Sequence, residues 1–162
     1  MLWRFCNNNR LIYDKWRRYI ALEQWLAKAR ELFPELLELV DRNQSGPLGL
    51  WGDLFMELEK AYEVQPINED LIARIYDYAA WCFGQPETGE VSTVLSSATA
   101  MGLIESIPLN KRVSDDLYRW MSQETFDGCE KLLRYHLSDQ EYGNFSLDFS
   151  AKKRNYSGRS PL

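Results

Sequence analysis

His136 is the only histidine in the chain, and the cysteines number three, Cys6, Cys82 and Cys129. The side chains that most often transfer protons, attack carbonyls or ligate metals are therefore scarce. A single histidine excludes every triad, metal cage or acid-base pair that needs two. Cys129 and His136 fall on one predicted helix, about two turns apart or ~10.5 Å of rise, which is too far for direct proton transfer. His136, beside Tyr135, reads as a structural or exposed residue. The cysteines are odd in number and match no C-x-x-C spacing, which argues against a disulfide framework and a zinc site. Cys82 and Cys129 sit among Trp81, Phe83, Phe126 and Leu132, where cysteine behaves as a small buried hydrophobe.

Carboxylates are plentiful. Glu59 with Glu63, and Asp70 with Asp77, share a helix face or nearly so. Paired acids can hydrolyse glycosides or hold a divalent ion, but only in a cleft of defined separation, which no spacing here sets. The reading is a solvated acidic face. Gly46, Gly49 and Gly52 lack the Gly-Lys-Ser and the flanking strand that a phosphate loop requires. No catalytic residue, cofactor or metal is assigned.

Six tryptophans and nine tyrosines are types favoured at interface hot spots. Trp51, Tyr76 and Trp120 lie on apolar stripes and are given to the core. Tyr62, Tyr78, Trp81 and Tyr118 lie beside acids or off the stripe and are expected to be partly exposed. Trp16, Arg17, Arg18 and Tyr19 form a basic aromatic segment of the kind that touches nucleic acid, but the acidic body behind it opposes tight binding.

That body emerges when the net charge of −5 is divided along the chain. Residues 1–30 carry seven bases and two acids, and residues 149–162 carry four bases and no acid. Residues 31–148 hold eight bases against twenty-two acids, a balance of −14. Such a body repels nucleic acid and anionic membrane and attracts basic partners.

Positioning these residues falls to helices. Ile12, Trp16, Tyr19, Leu22, Leu26 and Ala29 step by three and four along a long first helix. Pro34 breaks it near Phe33 and opens a second through Leu36, Leu37 and Val40, followed by a loop over Asp41 to Gly49. Trp51, Leu54, Phe55, Leu58 and Tyr62 make the third. Asn68 caps a fourth, with Glu69 and Asp70 in its first turn, Leu71 to Phe83 inward and Gly84 as the stop. Thr88 caps a fifth over Val91 to Gly102, whose small residues permit close approach, and Pro108 closes it. Ser114 opens a sixth and Ser122 a seventh carrying Phe126, Cys129 and Leu132. Ser138 and Glu141 form a capping box for a short last helix. Ala151 to Leu162 lacks periodicity.

The expected fold is all-α: a compact bundle of about seven to eight helices in antiparallel hairpins, or a short stack of such hairpins. One domain spans 1–148, with 1–20 as a candidate N-terminal extension and 149–162 as a disordered basic tail. No run reaches the ~20 apolar residues of a membrane span, no signal segment is seen, and the expected compartment is the cytoplasm.

The stretch from about Ala21 to Phe149 resembles a family of small helical bacterial proteins of uncharacterised function, some associated with toxin-immunity gene neighbourhoods. Leu32 to Leu36, Gly52 to Phe55, Ile75, Tyr76, Tyr78, Ala79 and Trp81 carry the resemblance, with Val91 to Val94, Ile104 to Pro108 and Arg134 to Ser138. It implies a shared helical fold and no catalytic assignment.

The leading functional expectation is a non-enzymatic interaction domain, in its specific form an immunity-like inhibitor of a basic toxin. Its contacts would come from Glu59, Glu63, Asp70 and Asp77, with Tyr62 or Tyr78 as anchor. The competing expectation is a helical adaptor that binds another protein through an exposed apolar groove. Third comes an enzyme with a carboxylate-lined pocket. A protein partner, basic in character, is expected, with no nucleic acid and no membrane.

Overall fold

The computed structural model of the chain describes residues 24–85, 90–158 and 160–162, with side chains resumed from Val94 after the break. The expected turns from Ile12 to Leu22, the 1–20 extension, the Trp16 to Tyr19 segment, Cys6 and the Thr88 cap lie outside the described residues. Among the described residues the fold is all-helical, without a strand.

Helix α1 covers 24–32. A 3-10 turn, Pro34–Leu36, leads into α2, Leu37–Arg42, then α3, Pro47–Glu63, and α4, Glu69–Phe83. Next come α5, Glu90–Thr99, continued by a π-helical segment, Ala100–Ile104, and a 3-10 turn, Ile107–Leu109. The chain ends with α6, Lys111–Trp120, α7, Gln123–Gly128, α8, Glu130–Leu133, and α9, Asp139–Arg154.

Caps explain several of the starts. The Leu71 amide donates to Asn68 Oδ1 at 3.2 Å, and the Thr125 amide donates to Ser122 Oγ at 3.0 Å. Ser138 and Glu141 form the reciprocal capping box of α9. Helix α6 differs from expectation: Asn110, four residues before Ser114, caps it by accepting from the Arg112 and Val113 amides.

Three further expectations are corrected. The segment 41–49 is not all loop, because helix runs on to Arg42 and restarts at Pro47; ion pairs from Arg30 to Asp41 and from Arg42 to Asp53 secure it on both sides. The run from Ser122 splits at Cys129 into α7 and α8, giving nine α-helices among the described residues, and Cys129 and His136 do not share a helix. The chain beyond Phe149 is not a structureless tail. Helix α9 continues to Arg154, Phe149 stacks on Phe126 at 3.9 Å, and Lys152 and Lys153 donate to the Asp115 and Tyr118 carbonyls. Leu162 pairs its backbone with Trp120 and Ser122.

Helix α3 is the central element, packing against α4, α5, the π segment and α6. Trp51, Leu54 and Leu58 form its fully buried face. Its contacts advance in step with the later chain: Trp51 meets Gly102, Glu59 meets Asn110, and Tyr62 meets Arg112 and Asp116. A Cβ at Gly102 would collide with Trp51 Cβ, so a side chain there would push the π segment off α3.

Candidate interaction surface

Two arrangements stand out, one buried and one exposed. The buried one joins α3, α4 and α6. The Tyr62 hydroxyl donates to Asp116 Oδ2 at 2.9 Å. Trp120 Nε1–H is shared between Asp116 Oδ2 at 3.0 Å and the Tyr62 oxygen at 3.1 Å. Arg119 bridges Asp116 and Glu69, and Tyr76 stacks flat on Trp120 with ring centres 5.3 Å apart. Burial, with Tyr76 and the Asp116 charge beside it, pushes the Tyr62 pKa up and keeps its hydroxyl protonated. The Tyr76 hydroxyl is fully buried and makes no hydrogen bond to protein. Reaching the surface at its Arg119–Glu69 end, this network ties helices together rather than presenting a reactive group.

The structure divides the six residues expected to form one acidic face. Tyr62 is 5% exposed and engaged as above, and Tyr78 is 0% exposed, so neither is an accessible anchor. Tyr78 lies between Trp51, Phe33 and Trp81 and donates to the Trp25 carbonyl. The acids adjacent to them, Glu63 and Asp77, lie about 100° around the helix and carry no information about the face each tyrosine buries. Glu59 is half-buried and accepts from Asn110 Nδ2 at 2.9 Å, turned toward α6. Asp70 is exposed and ion-paired with Arg74, which also holds Glu35. Glu63 and Asp77 are exposed and make no ion pair among the described residues.

Trp81 and Tyr118 are half-buried, as expected, while Trp51, Tyr76 and Trp120 are core. Cys82 is buried against Tyr78 and Thr99, and burial pushes its thiol up to about 12. Cys129 is half-buried and His136 exposed. Among the described residues no group of three or more His, Cys, Asp or Glu is placed to hold a metal ion. Nor is any helix there long and apolar enough to cross a membrane.

The exposed arrangement is an apolar groove of about 360 Å³ between the first turn of α3 and the α5–π junction. Its walls include Leu48 on one side and Val94, Ala98 and Met101 on the other. Leu48, Val94 and Met101 are each about half exposed, at 49%, 51% and 51%. Ser45, Gly46, Pro47, Gly49 and Ser97 complete a lining without a charged residue. The π segment carries Met101 at the groove while Leu103 and Ile104 turn fully inward, and such insertions often occur at functional sites. On α3, Gly49 makes room for the Asn43 side chain, whereas Gly52 has nothing within 4 Å of where a Cβ would stand. An interior helical glycine costs about 1 kcal/mol relative to alanine, and no neighbour among the described residues requires this one.

The groove is not legible in the sequence: Val94 and Met101 belong to an apolar helical stripe, and only the placement of α5 against α3 reveals which of that stripe stays uncovered. Comparison with protein-family models, curated proteins and solved structures gives no match.

Proposed function

We propose that the chain is a non-enzymatic protein-interaction domain that receives part of another protein in the groove between α3 and α5. The observation that carries this reading is the half exposure of Leu48, Val94 and Met101 around one uncharged depression. Side chains of this kind are stabilised by roughly 1.5–3 kcal/mol each on full burial, and a partner would supply what the chain's own packing leaves undone. The reading takes the helices as a compact bundle of antiparallel hairpins working in the cytoplasm. The inhibitor expectation contributes its charge argument, a basic partner for an acidic body, without its tyrosine anchors.

The test is capture by tagged protein from a lysate of the cells that make it, comparing the wild type with Leu48→Asp and Met101→Asp. Circular dichroism and thermal melts verify that each variant is folded. A protein retained by the wild type and lost from both folded variants supports the groove. Equal retention by the variants, or no retention by any form, removes it.

A further inference from the structure

We infer that the groove's occupant is an amphipathic helix of a partner protein that carries a lysine or arginine about three turns beyond its apolar anchors. The inference rests on the groove reading above and names the partner's chemistry. Helix α3 and the chain from α5 to α6 advance side by side, since Trp51 meets Gly102 and Glu59 meets Asn110. Followed in that direction, the two walls of the groove lead from Leu48 and Met101 to the levels of two carboxylates. Glu59 lies eleven residues beyond Leu48, ~16 Å along the helix. Glu105 lies one turn past Met101, between the levels of Gly102 and Asn110.

Both carboxylates are half-buried and neither is in an ion pair among the described residues. Glu59 receives only the neutral Asn110 amide. The other half-buried carboxylates among the described residues, Asp53, Glu57, Asp115 and Asp116, are each in an ion pair, so these two stand out as half-buried charges left for an outside cation. Gly52, between Leu48 and Glu59 on α3 with open space above it, lets an incoming backbone approach the wall closely. Two helices flanking an apolar slot favour the helix-in-groove mode, read by anchors at three- and four-residue steps. The acidic body opposes nucleic acid and anionic lipid as occupants.

The probe is a displayed library of helical 18-residue peptides of random surface composition, selected against the full chain. Selected peptides are then measured by fluorescence anisotropy against the wild type, Met101→Asp and the double variant Glu59→Gln with Glu105→Gln. The expected result is enrichment of peptides pairing apolar anchors with Lys or Arg three turns on. These should bind the wild type about fivefold more tightly than their Lys-to-Gln counterparts, a preference that shrinks with added salt. The double variant should lose that preference yet keep binding, and Met101→Asp should lose binding altogether. Selected peptides without a basic preference, or with one that the double variant retains, overturn the helix-with-cation inference and leave the groove standing. Peptides that bind Met101→Asp as well as the wild type, or a selection that enriches nothing, overturn the groove reading itself.

Discussion

At the scale of single residues the chemistry is quiet. Cys82 shows why: its thiol is 1% exposed and burial raises it to about 12, so at neutral pH the nucleophilic thiolate is almost absent. In a variant whose other cysteines are replaced by serine, Cys82 should stay unlabelled by a thiol reagent in the native state and react fully in denaturant. Rapid native labelling would show that the site opens. The Asp116 carboxylate is likewise engaged within the fold, held by Tyr62 from α3 and by Arg119 and Trp120 of its own helix. Other side chains are left open: the half-exposed Leu48, Val94 and Met101, and Glu59 and Glu105, which are in no ion pair among the described residues. The burial of Tyr62 and Tyr78 was not legible from neighbours in sequence, because partner helices distant in the chain cover them. The core roles of Trp51, Tyr76 and Trp120 were legible, since each lies on an unbroken apolar stripe.

At the scale of elements, two glycines make the contrast between packing and surface. Gly102 faces Trp51 with no room for a methyl group, and Gly52 faces open space. Gly102→Ala should therefore destabilise by about 1–3 kcal/mol through overpacking, while Gly52→Ala should stabilise by about 0.5–1 kcal/mol through helix propensity. Denaturant melts of both variants check the pair, and equal effects would contradict the described α3–π contact. Local signals made many element starts readable: Asn68, Ser122 and Ser138 are caps in the structure as in the sequence. The continuation of α9 past Phe149 was not readable. Ala151 to Arg154 has no apolar period of its own, and its order comes from Phe149 on Phe126 and from lysines reaching α6 carbonyls, contacts between segments far apart in sequence. The π segment is similar, because its extra residue per turn is set by the approach to α3.

At the scale of the whole molecule, the charge balance read from composition changes meaning once partners are seen. Many of the carboxylates counted in the −14 body are neutralised within the chain, including Glu35 by Arg74, Asp53 by Arg42 and Asp115 by Lys111 and Lys152. Arg74 beside Glu35 and Arg42 beside Asp53 hold these carboxyls below their ordinary values, the direction expected of internal pairs. The −14 already counts the bases of the body, so pairing does not remove the excess acid; it leaves eight carboxylates among the described residues outside any ion pair. Two of these, Glu59 and Glu105, are the half-buried ones. The all-helical class was legible from periodicity; the groove required the assembled molecule.

The most direct measurement places a photoreactive benzoylphenylalanine at Ser97, in the groove, and separately at Asn144, exposed on α9, and irradiates each folded variant in the lysate of its native cells. The account predicts one discrete crosslinked protein from position 97 and none from position 144, with the product suppressed when Met101→Asp is added. A product from position 144 alone, or a position 97 product indifferent to Met101→Asp, would contradict it.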